Sequence, residues 1–167
     1  MNRISVRQTY IRWIDGLSRL CGVAAAVLLV VAMLVVCEMI LIRYVFTAHT
    51  TWQTEAVVFS ATASIFLGAP YVLLIKGHVG VDFIHLMVKS RVRLWLDRVG
   101  AVLGLVFCLV MAVATAIFLF DAIAGGWTTP SVARVPLWMP LTPVFVGFVL
   151  LCLQYVAELL KLFPASP

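Results

Sequence analysis

Charged residues divide the sequence into four uncharged, strongly apolar stretches, at 20–37, 56–75, 99–120 and 135–157. Each is close to the ~20 residues that an α-helix needs to cross ~30 Å of hydrocarbon. The first follows Arg3, Arg7, Arg12 and Arg19, as a signal peptide would, but its apolar core is long for one and no small-residue cleavage site follows. It reads as a retained first span that continues past Glu38, over 20–42. The second span is expected over 55–75 and the third over 99–121. The fourth stretch opens with Pro136, Pro140 and Pro143, which one unbroken helix does not readily hold. Thr142 as N-cap with Pro143 at the first helical position predicts a span over 142–162. Gly125, Gly126 and Pro130 mark the preceding loop.

The connection from Lys76 to Arg98 is too long for a tight turn and too polar to span. Val81, Ile84, Val88, Val92 and Trp95 recur every three or four residues, with Asp82, His85, Lys89 and Arg93 on the other face. This predicts an amphipathic interfacial helix over about 82–97. Gly77 and Gly80 permit a bend out of span two, and Asp82 can cap the new helix, so Gly77, His78, Gly80 and Asp82 form an elbow. The fold class is therefore all-α: one polytopic domain over 1–167, with four transmembrane helices and a cytoplasmic-side amphipathic helix between spans two and three.

Composition strengthens this picture. The chain of 167 residues is 64% hydrophobic and 11% charged, with a mean hydropathy of +1.13, which excludes a water-soluble globule and a disordered chain. A net charge of +5 does not indicate nucleic acid, because the basic residues gather at the span ends instead of forming a soluble basic face. Arg3, Arg7, Arg12 and Arg19 precede span one, Lys76, Lys89, Arg91, Arg93 and Arg98 separate spans two and three, and Lys161 ends span four. Only Arg43 and Arg134 lie on the other side, so both termini are expected in the cytoplasm. Trp13 and Trp95 would mark the inner interface, and Trp52, Trp127 and Trp138 the outer one.

Candidate chemistry is sparse. Cys21, Cys37, Cys108 and Cys152 stand far apart within apolar runs and read as small hydrophobic filler. His49, His78 and His85 fall outside the spans, where they are poorly placed for a haem held between facing helices. No cofactor, metal site or catalytic constellation is expected. Glu38 and Asp121, near the outer ends of spans one and three, suit packing or partner contact better than ion coupling. Packing signals are stronger: Ser60, Ser64 and Gly68 form one small-residue stripe, and Gly100, Gly104, Cys108, Ala112 and Ala116 another. Either could close the bundle or face another protein. Pro70 frees the carbonyl of Phe66, and Arg43 and Glu55, on either side of the first loop, are expected to form an ion pair.

Arg43-Tyr-Val-Phe, Trp52-x-x-Glu55, Leu67-Gly68-Ala69 and Gly77-His78-Val79-Gly80-Val81-Asp82 follow one another in an order and spacing that resemble the small membrane subunit, DctQ type, of tripartite ATP-independent periplasmic (TRAP) transporters. The resemblance covers nearly the whole chain, with the fourth span contributing topology alone. It implies a bacterial inner-membrane scaffold and docking subunit without a substrate site of its own. Its partners would be a large polytopic transport subunit and a periplasmic substrate-binding protein, and a sodium gradient would drive uptake of an organic acid such as a carboxylate. Arg43, Trp52, Glu55, Ser60, Ser64, Gly68, Gly77, His78 and Asp82 become candidate structural or partner-interface residues. The reading from another class is a haem-binding or plain membrane-anchor subunit of a respiratory complex.

Overall fold

The computed structural model describes residues 2–75, 90–131 and 133–162, and its regular elements there are four α-helices with one isolated bridge, Thr128 to Pro136. They are α1 (Asn2–Val45), α2 (Gln53–Leu74), α3 (Ser90–Ala124) and α4 (Trp138–Leu162). All four are long and apolar enough to cross a membrane.

Three boundaries differ from the sequence expectation. Helix α1 starts at Asn2 rather than near residue 20 and has 44 residues, so at 1.5 Å per residue it extends ~66 Å, about twice the hydrocarbon thickness. Nothing before Gly16 breaks it, and a lone glycine costs a helix only ~1 kcal/mol. Helix α3 starts at Ser90 rather than 99. Residues 90–97, expected to end a separate interfacial helix, instead run unbroken into the third span. The rest of that expected helix, with the elbow of Gly77, His78, Gly80 and Asp82, lies outside the described residues.

The fourth helix starts at Trp138 and contains both Pro140 and Pro143. Thr142 is therefore not its N-cap: its hydroxyl donates to the Trp138 carbonyl, 2.7 Å away within the helix. The first four N–H groups of a helix have no intrahelical acceptor, so Pro140 costs nothing in hydrogen bonding and Pro143 removes a single bond. The glycine pair does end α3 as expected. Gly126 takes φ +59, its N–H donates to Ile123 O, and the Trp127 N–H donates to Ala122 O, which together form a Schellman cap.

Helix α1 packs on α2, α2 on α4, and α4 on α3, with a smaller contact between α1 and α4. Helix α4 is the most enclosed of the four, while α3 leans on its flank. Small side chains make these seams: Ala25, Ala32, Ala63, Cys108, Ala112, Ala122 and Ala157 are buried. Within lipid there is no hydrophobic drive between helices, so association depends on this close backbone approach. The tightest approach joins α2 to α4. There, a Cβ on Gly147 would lie 2.5 Å from the Phe66 carbonyl oxygen, the group that Pro70, fully buried in α2, leaves without an N–H donor. The rings of Phe66 and Phe148 meet alongside at 5.2 Å.

Candidate functional site

Polar side chains gather at the two ends of the bundle. At the end where α1 begins and α4 finishes, the two helices run antiparallel. Gln154, fully buried, accepts a hydrogen bond from the buried Ser18 hydroxyl at 2.8 Å, and its amide nitrogen donates to Asp15 at 3.2 Å and to Glu158 at 3.4 Å. Lys161 closes the network with ion pairs to Asp15 at 3.0 Å and Glu158 at 2.8 Å. Further along, the Tyr10 hydroxyl donates to Leu153 O at 3.3 Å and the Arg7 guanidinium to Leu160 O. Two carboxylates are thus held beside one ammonium and one amide, and the amide's donors and acceptor are all engaged, as burial requires.

Sequence reasoning missed this network, although a signal for it existed. Gln154, Glu158 and Lys161 recur at i, i+4 and i+7 along one face of an apolar helix, and Asp15 and Ser18 stand at i and i+3 on α1. Such a polar ridge in a hydrophobic span calls for a matching ridge on a neighbour.

At the distal end, Glu55 stands in the first turn of α2, where the helix dipole favours a carboxylate. Its Oε1 accepts hydrogen bonds from the Thr129 hydroxyl at 3.3 Å and from the Ser131 hydroxyl. Thr129 Oγ1 in turn accepts the Val135 N–H at 3.1 Å, and the loop is closed by Thr129 N–H to Val135 O and Leu137 N–H to Trp127 O. The strap between α3 and α4 is therefore fastened to the start of α2. Trp127 also lies 5.9 Å from the Phe118 ring.

The expected pairing of Arg43 with Glu55 does not form. Arg43 Nε instead donates to Thr50 Oγ1 at 2.7 Å, within its own loop, because Thr50 is only seven residues away while the α3–α4 strap supplies hydroxyls to Glu55. Trp52 immediately precedes α2, with its side chain 55% exposed and its carbonyl accepting the Ala56 N–H. The first small-residue stripe faces α1: Ser64 is buried and donates to Ala25 O at 2.7 Å, and a Cβ on Gly68 would lie 3.2 Å from Ala25 Cβ. Ser60, one turn earlier, is half-buried. The second stripe faces α4, where Gly104 lies under the Tyr155 ring. Glu38 is half-buried and Asp121 and His49 are exposed. Among the described residues, no group of three or more His, Cys, Asp or Glu side chains is placed to hold a metal ion.

No curated protein and no solved structure matches this chain. Residues 32–165 match the family model described as "Tripartite ATP-independent periplasmic transporters, DctQ component". That stretch runs from mid-α1 through the Glu55-fastened strap to the end of α4, so the chain belongs to the DctQ family of TRAP transporter components and is a part of a transporter, not an enzyme.

Proposed function

We propose that this chain is the scaffold and docking subunit of a sodium-driven, binding-protein-dependent secondary transporter that takes up organic acids across the bacterial inner membrane. It pairs in the membrane with a large polytopic transport subunit, receives a periplasmic substrate-binding protein, and keeps both its termini in the cytoplasm. What supports a scaffold role is how the buried polar side chains are used. Ser18, Ser64 and Gln154 direct hydrogen bonds to neighbouring helices, so these buried polar groups serve to hold helices in register. The uneven division of Lys and Arg supports the orientation.

A tag placed after Pro167 should recover a large polytopic partner from solubilised membranes. Proteoliposomes holding both should accumulate a carboxylate when given a sodium gradient and the binding protein. Reporters after Pro167 and at Thr129 should signal opposite sides, cytoplasm and periplasm. A chain that purifies alone with a Soret band would replace this reading with the haem-binding one.

A further inference from the structure

We propose that the outward face of α1 around Gly16 is a binding site for one anionic glycerophospholipid of the leaflet at the N-terminal end of that helix. Asp15, Ser18, Gly22 and Ala25 face α4 and α2. Turned away from those contacts, Trp13, Gly16, Leu17 and Leu20, with Arg12 and Ile14 at the edges, line an open cleft of about 610 Å³ on the surface of α1 itself. Its floor is Gly16, where an added Cβ would meet nothing within 4 Å. Trp13 is 76% exposed and Leu20 66% exposed, so the walls are apolar and open to the bilayer.

Depth and charge select the occupant. The cleft is level with the Asp15–Lys161 ion pair, which belongs at the headgroup boundary because paired charges are costly deeper in hydrocarbon. Trp13 fits the same level, as an amphipathic ring at the interface. Arg12 lines the cleft and Arg19, outside the lining, lies two turns deeper along the same edge of α1. Neither has a hydrogen bond or ion pair among the described residues. Arg19 is exposed, and a long side chain snorkelling from there back toward the N-terminus would pass beside the gap at Gly16. Two unneutralised guanidinium groups thus flank a slot with a greasy wall below, and Arg is well suited to paired hydrogen bonds with a phosphate. The phosphate would lie between Arg12 and Arg19, with an acyl chain following Leu20, Val23 and Val27 along the exposed side of α1. These residues precede the family-matched stretch of 32–165, so family membership does not supply this site.

Native mass spectrometry of the purified full chain, titrated with palmitoyl-oleoyl phosphatidylglycerol or the matching phosphatidylcholine, tests the proposal. One phosphatidylglycerol should be retained per chain and phosphatidylcholine should not. Arg12→Gln and Arg19→Gln should each lower retention roughly fivefold. Gly16→Leu, which fills the slot without changing charge and whose Cβ would meet nothing within 4 Å, should lower it about as much. Arg3→Gln, with the same loss of charge nine residues before Arg12 in the sequence, should leave retention unchanged. Equal losses for Arg3→Gln and Arg12→Gln would reduce the site to diffuse attraction and overturn it, as would full retention by Gly16→Leu. A photo-crosslinker at Leu20 that captures a protein in native membranes in place of lipid would overturn it too.

Discussion

Gly147 allows a sharp test of how α2 and α4 meet. In Gly147→Ala the new methyl group would lie 2.5 Å from the Phe66 carbonyl oxygen, 2.8 Å from its carbon and 2.8 Å from Phe66 Cβ. A comfortable carbon-to-oxygen contact is ~3.3 Å, so the helices must part by about 0.8 Å there. The obstacle is backbone and has no side-chain rotation with which to yield. A gap of that size forfeits a quarter to a half of each nearby dispersion contact, and overpacking of this kind costs ~1–3 kcal/mol. Helical preference works the other way, since alanine in place of a helical glycine gains ~0.5–1 kcal/mol. A net loss of ~1–2 kcal/mol is expected. The assay is the midpoint of unfolding of the purified chain in mixed detergent micelles. Gly100→Ala serves as the control, because a Cβ there meets nothing within 4 Å, and it should be neutral or slightly stabilising. Gly104→Ala should fall between the two, since the atoms it meets belong to the far end of the Tyr155 ring, which can swing aside. If Gly147→Ala melted with or above Gly100→Ala, the close approach at Phe66 would be refuted.

Other substitutions probe the seams and the two polar ends. Gln154→Leu should cost ~1–3 kcal/mol in the same melt, by stranding the buried Ser18 hydroxyl, and adding Ser18→Ala should recover part of the loss. Gly68→Leu forces a bulky side chain against Ala25, so membrane abundance of the chain and recovery of a co-purifying partner should fall together; selective loss of the partner would place the stripe on an outer interface. Because Arg43 bonds Thr50 and not Glu55, the double exchange Arg43→Glu with Glu55→Arg should show no rescue in co-purification over the worse single variant. Glu55→Ala should speed hydrogen exchange at the Thr129, Val135 and Leu137 amides, which the fastened strap protects.

The sequence carried the existence of the four helices because an uncharged run of some 20 residues has few other outcomes. It carried the end of α3 too, since Gly126 is suited to the left-handed conformation that a Schellman cap demands. It misplaced the start of α4 because three prolines look like helix breakers, whereas two of them fall where the first turns have few hydrogen bonds to lose. It separated residues 90–97 from α3 on their polarity, although nothing in them stops a helix. The Glu55 partner was misjudged for a different reason: opposite charges attract attention, but neutral hydroxyls on a strap 74 and 76 residues away are anonymous in a sequence. Gln154 reads in the sequence as one polar residue in an apolar run, because its meaning depends on Asp15 and Ser18 arriving from the far end of the chain.

The fastening of the strap at Glu55 also bears on how movement passes through the molecule. Helix α3 has its packing surface on α4 and shares no extended seam with α2, so a displacement of α3 along α4 has little helix surface by which to reach α2. The carboxylate bonds to Thr129 and Ser131 bypass that gap, acting as a short tie-rod between the exit of α3 and the entrance of α2. Anything that grips the distal loop therefore pulls on both halves of the chain at once, and the load is carried by a pair of hydroxyls instead of by an apolar core.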